Sequence, residues 1–466
     1  MSISNLSRLA AIVVVTLSFA ATPVLAQVPN PTVVGPIAEN VPPGDPSHDY
    51  IFFTSEIIDD FGYVEEEFFI EGTANQYDTP PLSTGTVISS GHPYRTRIVV
   101  RRPEKAQRFN GTVILEWQNV TAGYDIDASW VGGNAEHFMR EGYVWVGVSA
   151  QRVGVHQAAT GLRDWSPVRY GTLDVTDGGT ILDDALSYDI FSQAGQAIAE
   201  PTGVDPLNGL EPSVILASGA SQSAGRLRTY YNSIQPLANL IEGFYLAVGG
   251  GTVRTDLGVP VFKVLSETEI VFVGFGFGSP PQPDTDSVRT WQVAGASHAD
   301  RTFLDNAAVN TTRDSIPTNP PGLCDYPEGS ELRFFHVGNA AHDHLVRWVE
   351  SGALPPTSPD IELIDLGPVS IVARDDLGLA LGGIRIADIE VPTALNTGQN
   401  GGPAFCFLFG SHVPFDEATL DELYRNHGSY VDPVQQTVGD NLANGYITKR
   451  DAQTTITGAA QSKIGK

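Results

Sequence analysis

The segment Ser218-Gly219-Ala220-Ser221-Gln222-Ser223-Ala224-Gly225 lies between an apolar run, Ser213-Val214-Ile215-Leu216-Ala217, and a helix-like stretch from Arg226 to Asn232. A serine on a tight strand-to-helix turn is a candidate nucleophile, provided an imidazole takes its proton and a carboxylate holds that imidazole's tautomer. Such a turn is strained, and small residues two positions either side of the serine let the strand and helix backbones approach. Gly219 meets that need, and Ser223 replaces a second glycine with a residue that is still small. The geometry turns the amide of Gln222 toward a developing oxyanion and sets Ser221 at a helix N-terminus, where negative charge is stabilised. Without partners the string is no more than a Gly/Ser turn, so its meaning rests on the rest of the chain.

Partners stand downstream in the order acid, then histidine. The apolar run Thr290 to Ala294 leads into Gly295-Ala296-Ser297-His298-Ala299-Asp300, which sets His298 on a loop of small residues at a strand end. Earlier, Pro260-Val261-Phe262-Lys263-Val264-Leu265 leads into Ser266-Glu267-Thr268-Glu269. Glu269, nine residues past Pro260, is the favoured acid and Glu267 its alternative. A second oxyanion donor is expected from the loop after Thr112–Trp117, at the amide of Asn119 or Val120, although Asn119 also suits a turn cap. This constellation implies acyl transfer to water through an acyl-enzyme, and that chemistry requires neither a metal nor an organic cofactor.

Other polar and aromatic groups have plainer readings. His342-Asp343-His344 reads as an exposed helix start rather than a metal site, and Glu65-Glu66-Glu67 as the solvated face of an outer strand. Phe405, Phe407 and Phe409 alternate as on a strand and are read as core, with an acyl pocket as the alternative.

The elements that must position these residues alternate between strand and helix. Tyr63–Ile70 and Tyr94–Val100 alternate in polarity and predict outer strands, while the nearly all-apolar Thr112–Trp117 predicts a central one. Helical periodicity follows at Gly133 to Arg140 and Ile181 to Glu200, with further strands at Tyr143–Ser149, Val261–Leu265 and Thr290–Ala294. That order predicts an α/β protein with a mostly parallel sheet covered on both faces. Beyond His298, helices are expected at His344–Glu350, Asp416–Tyr424 and Val434–Leu442, with strand-like chain from Ile361 to Ile389. No low-complexity linker separates this tail from the core. The expected organisation is therefore a signal peptide (1–26), a Pro-rich lead (27–60), a core (61–305) and an extension (306–466) packed on that core in the same unit.

The signal peptide rests on Arg8, an apolar run from Leu9 to Ala21 too short to span a bilayer comfortably, and Val24-Leu25-Ala26 before Gln27. It predicts a secreted or periplasmic protein, and no later segment is apolar enough to cross a membrane. The chain of 466 residues carries a formal charge of -27, which argues against nucleic acid, anionic membranes and polyanionic substrates. Its two cysteines, Cys324 and Cys406, are expected to pair in an oxidising compartment.

Several stretches together resemble a family of exported, largely bacterial and poorly characterised proteins with an α/β-hydrolase domain. They are Ala217 to Gly225, Gly295 to Asp300, Trp348-Val349-Glu350-Ser351-Gly352 before Pro355-Pro356, Gly382-Gly383-Ile384-Arg385, and Pro392-Thr393-Ala394. The resemblance runs from about residue 60 to the C-terminus and implies an α/β-hydrolase fold whose C-terminal extension belongs to the same unit. It carries the triad onto Ser221, His298 and an acid within Ser266 to Glu269. The family's Glu-Thr-Asp pattern here reads Glu267-Thr268-Glu269, so both glutamates stay open at this point. The expected substrate is a small-molecule or polymeric ester. A peptidase or amidase on the same triad, and a non-catalytic binding protein on this scaffold, are the rival readings. Acyl chain length and oligomeric state have no signature in the sequence.

Overall fold

A computed structural model describes residues 28–466 except 39–40, 272–277, 319–320, 328 and 367–369. The expected signal peptide, 1–26, lies outside the described residues. The centre is a ten-stranded sheet built from β1 (Thr32–Val34), β2 (Tyr63–Tyr77), β3 (Val87–Pro103), β4 (Thr112–Trp117), β5 (Val144–Val148), β6 (Thr202–Gly203), β7 (Val214–Ala220), β8 (Gly243–Ala247), β9 (Val261–Leu265) and β10 (Val288–Gln292). The spatial order is β10-β9-β8-β7-β4-β5-β3-β2-β1-β6. The six strands from β10 to β5 are parallel, and β3, β2 and β1 then alternate direction.

Side-chain alternation explains why the central strands read as nearly continuous apolar runs. On β4, Val113, Leu115 and Trp117 point into one hydrophobic cluster and Ile114 into another on the opposite face. A strand buried on both faces has no polar side to show. One face is covered by α2 (Ser187–Ala199) and α3 (Gln222–Thr229), whose Phe191 and Leu227 join the first cluster. The other face is covered by α1 (Ala135–Glu141), with Phe138 in the second cluster.

The chain past residue 305 supplies core as well as cover. After α4 (Glu267–Val271) and α5 (Arg301–Arg313) comes α6 (Phe334–Ser351), which lies against β7, β8 and β9 and buries Val337, Ala341 and Leu345 in the second cluster. Two small hairpins follow, β11 (Leu363–Asp365) with β12 (Ser370–Val372), and β13 (Ala394–Thr397) with β14 (Ser411–Pro414). Between β13 and β14 lies α7 (Cys406–Phe409), and the chain closes with α8 (Glu417–Leu423), α9 (His427–Ala443) and α10 (Lys449–Gln461). Cys324 and Cys406 form a disulfide with Cα atoms 5.4 Å apart. Among the described residues no helix is long and apolar enough to cross a membrane.

Four expectations are corrected. The lead is not merely a lead, because β1 within it pairs with both β2 and β6 and moves β2 away from the sheet edge. Glu65-Glu66-Glu67 is accordingly no solvated face. Glu67 is fully buried, accepting from Arg97 Nη1 at 2.7 Å, Arg169 Nη2 at 2.6 Å and Tyr170 Oη at 2.7 Å, while Glu65 accepts from Arg101 at 2.8 Å. Buried carboxylates persist only when paired in this way. His342-Asp343-His344 is not an exposed helix start but the middle of α6, where His342 packs edge-on against Phe138 and burial pushes its pKa down to about 4. Phe405, Phe407 and Phe409 do not alternate on a strand, because Phe407 and Phe409 lie on α7 and Phe405 is its N-cap.

Candidate active site

The central feature is the turn between β7 and α3. Ser221 has φ 58° and ψ -119°, a conformation that L side chains rarely adopt. Its amide donates to the Ala247 carbonyl at the end of β8, 3.0 Å away. A Cβ at Gly219 would come within 2.9 Å of Leu227 and 3.0 Å of the Ser223 backbone, so the close approach of strand and helix requires glycine there. Ser223 stands in for the second glycine by bonding back to the turn. Its hydroxyl accepts from the Ala220 amide at 3.0 Å and donates to the Ala220 carbonyl at 2.8 Å, and it is fully buried.

His298 follows β10. Its ring Nδ1 lies 2.6 Å from Glu269 Oε1, and its amide donates to Thr268 Oγ1 at 3.2 Å. The other oxygen of Glu269 accepts from the amide of Ser266 at 2.8 Å and from its hydroxyl at 2.6 Å. An Nδ1–H donated to Glu269 leaves the Nε2 lone pair as the acceptor on the far side of the ring.

Glu267 faces elsewhere. One of its oxygens accepts from the Gly295 amide at 2.7 Å; the other accepts from the Gly398 amide at 3.0 Å and from Arg374 Nη2 at 2.8 Å. Of the two carboxylates left open by the sequence, the structure brings Glu269 to His298 and assigns Glu267 to the loop that carries it. The segment is the short helix α4.

Ser221, His298 and Asn119 line one cavity of about 420 Å³. The Asn119 amide is not an oxyanion donor, because it already donates to the Ile126 carbonyl at 3.0 Å in an isolated bridge. Asn119 instead braces the elbow, its Nδ2 donating to the Ala220 carbonyl at 2.9 Å. The amides of Val120 and Gln222 have no protein partner among the described residues. Of the two loop candidates Val120 is therefore the one left with an available N–H.

The cavity wall includes Phe405 and Phe409, for which the sequence left an acyl pocket as the alternative, together with residues that gave no signal there. Phe405, Leu408 and Phe409 form one side and α5, through Phe303 and Leu304, another. Asp300, on the same loop as His298, also lines the cavity, and it caps α5 by accepting from the Phe303 amide at 2.9 Å. Burial pushes the Asp300 carboxyl up to about 7, against the opposing pull of the backbone amides it accepts from. Among the described residues no cluster of three or more histidine, cysteine, aspartate or glutamate side chains is arranged to hold a metal ion.

A parallel sheet with a strand–serine–helix elbow at the carboxyl end of β7 is the α/β-hydrolase fold. The chain matches the family model described as "Alpha/beta hydrolase domain" over residues 33–457 and belongs to that family. No curated protein sequence shows significant similarity to the chain. Among solved structures, the esterase Est22 aligns at 13% identity and TM-score 0.32, covering 57% of this chain and 81% of its own. A Xanthomonas campestris protein described as an a/b serine hydrolase without lid aligns at 12% identity and TM-score 0.29, covering 54% and 97%. A fungal esterase structure from Rhizomucor miehei aligns at 10% identity and TM-score 0.29, covering 54% and 82%.

Proposed function

We propose that the protein is an exported serine hydrolase that cleaves carboxylic esters through an acyl-enzyme, with Ser221, His298 and Glu269 as its triad. The observation that carries this reading is the 2.6 Å contact between His298 and Glu269 beside a cavity that His298 shares with the strained Ser221. Ser221 Oγ attacks the ester carbonyl as His298 takes its proton, and His298 returns that proton to the departing alkoxide. Glu269 fixes the tautomer and stabilises the imidazolium. The amides of Gln222 and Val120 donate to the tetrahedral oxyanion, aided by the N-terminus of α3. Water then repeats the sequence on the acyl-enzyme. Esters are favoured over amides because an alkoxide leaves without the full protonation that an amine requires. Export rests on residues 1–26, and the Cys324–Cys406 bond is consistent with an oxidising compartment.

The test is labelling of the mature protein with a fluorophosphonate, followed by peptide mass spectrometry and assay on p-nitrophenyl esters and anilides. Covalent modification at Ser221, lost in Ser221→Ala and His298→Ala together with ester turnover, is the expected result. An enzyme that hydrolyses esters undiminished after Ser221→Ala would refute it. Anilide turnover matching ester turnover would move the assignment to an amidase.

A further inference from the structure

Adjacent glycines at the cavity have different reasons to be there. Gly133 has φ 103°, and a Cβ on it would strike the Phe335 ring at 2.7 Å, so the backbone and packing both demand glycine. Gly132 has neither constraint. Its φ is not in the left-handed region, and a Cβ there would meet nothing within 4 Å. Gly132 lines the cavity that holds Ser221 and His298, so the open space beside it is substrate space.

The part of the wall formed by α7 is tied in place. Leu408 accepts the Ala299 amide on its carbonyl at 2.9 Å, Phe409 accepts that of Ser330 at 2.9 Å, and Cys406 is tied to Cys324. Phe405, Leu408 and Phe409 are all only partly buried by protein and line the same cavity. The lining exposes mostly apolar surface, with polar groups such as Asn119, Ser129, Asn134 and Thr311 among it. Its cation, Arg301, is held by Asp305 at 2.8 Å, and its inner carboxyl is Asp300. A substrate arm carrying a carboxylate would meet Asp300 and no available counter-ion.

We propose that this cavity, lined by Gly132 and the α7 wall, is the acyl pocket, and that the preferred substrates are esters of uncharged, medium-length apolar acids. The inference rests on the triad reading above and deepens it to a substrate class. A site of about 420 Å³ falls in the range that encloses a small ligand rather than only an acetyl group. Each methylene taken from water into such a pocket strengthens binding by about fourfold, so kcat/KM is expected to climb steeply from acetate until the pocket is full.

The experiment measures kcat/KM of the mature protein on p-nitrophenyl acetate, butyrate, hexanoate, octanoate and decanoate, and on the monoester of a dicarboxylic acid. Wild type, Gly132→Leu and Leu408→Ala are compared, with Ala308→Phe as a second filling variant on exposed α5 surface at the same cavity. The expected result is a wild-type maximum between butyrate and octanoate and rejection of the carboxylate-bearing ester. Gly132→Leu or Ala308→Phe should lower kcat/KM on octanoate at least tenfold with acetate changed less than threefold, and Leu408→Ala should move the maximum to longer chains. Fluorophosphonate labelling of Ser221 in each variant reports whether the site is folded. Labelled variants that all keep the wild-type chain-length profile would overturn the proposal while leaving the serine hydrolase standing. A wild type that labels at Ser221 but prefers acetate would do the same. A wild type that neither labels nor hydrolyses any ester would instead remove the triad reading on which the proposal rests.

Discussion

Glutamates two positions apart have different jobs in this structure, and conservative substitutions separate them. Consider Glu269→Gln. The Ser266 amide and hydroxyl, both at one oxygen of Glu269, pin the new side chain with its oxygen toward Ser266 and its NH2 toward His298. The amide then donates to Nδ1, where the carboxylate had accepted, 2.6 Å away. The imidazole is forced into the tautomer whose Nε2 carries the proton, and it cannot take one from Ser221. Loss of this orientation and of the charge opposite the imidazolium should lower kcat roughly 10²- to 10⁴-fold, about 3–5 kcal/mol of transition-state stabilisation. Folding should change little, since the packing is isosteric. Glu267→Gln should do the reverse. Its oxygens accept from Gly295, Gly398 and Arg374, so either amide orientation sets an NH2 against a backbone N–H. That should cost about 2–4 kcal/mol of stability, while kcat per folded molecule falls less than tenfold. Steady-state kinetics on p-nitrophenyl butyrate and urea unfolding of both variants decide the matter. If Glu269→Gln retained kcat within tenfold of wild type, or if the large catalytic loss belonged to fully folded Glu267→Gln, the assignment of roles would be wrong.

Two further predictions follow from groups around the cavity. Asp300 has a folded pKa near 7 against an ordinary value of 3.8, so it binds a proton more tightly when folded. Its contribution to stability is therefore full at low pH and is lost as pH rises to about 7. Asp300→Asn, which keeps the acceptor for the Phe303 amide, should gain about 3 kcal/mol on wild type between pH 5 and pH 8 in urea unfolding, and a pH-independent difference would contradict this. Replacing Cys324 and Cys406 by serine removes a link between residues 82 apart in sequence. A loss of about 2–4 kcal/mol is expected. Because Cys406 opens α7, octanoate turnover should fall further than acetate turnover, and equal losses would show that the bond does not shape the cavity.

The stretches that carry the proposed triad were legible because their chemistry is local. A strand-to-helix serine turn needs small neighbours, and Gly219 and Ser223 supply them within a few residues of Ser221. Buried strands such as β4 and β9 are apolar apart from Glu116 and Lys263, so their runs marked the strand bounds directly, whereas the short β8 (Gly243–Ala247) gave no such mark. What stayed illegible depends on distant pairing. Glu65 and Glu67 look solvent-facing until β1 and the Arg97, Arg101 and Arg169 side chains are placed around them. The choice between Glu267 and Glu269 turned on Gly398 and Arg374, more than a hundred residues downstream. Asn119 gave no sign that its amide would bridge to Ile126. The wall at Phe405 to Phe409 was misread because period-two aromatic spacing also fits one short helical turn after a cap.

Those distant pairings bear on what the region past His298 does. The His298 loop is tied at both ends to chain from the C-terminal part. The Ala294 amide donates to Ile384 at 3.1 Å, Ala299 donates to Leu408 at 2.9 Å, and Arg301 donates to Ser330 at 2.8 Å. The acid turn is tied to the same region, since Thr268 Oγ1 donates to the Gly398 carbonyl at 2.8 Å while Glu267 accepts the Gly398 amide. Productive proton transfer depends on holding such groups within a fraction of an ångström. Here the strand-end loops that carry the histidine and the acid, and one wall of the cavity they open on, are all set by residues 330 to 409. Contacts from the C-terminal region thus hold the loops that carry the proposed histidine and acid and shape one wall of the cavity, which explains why no linker separates it from the core.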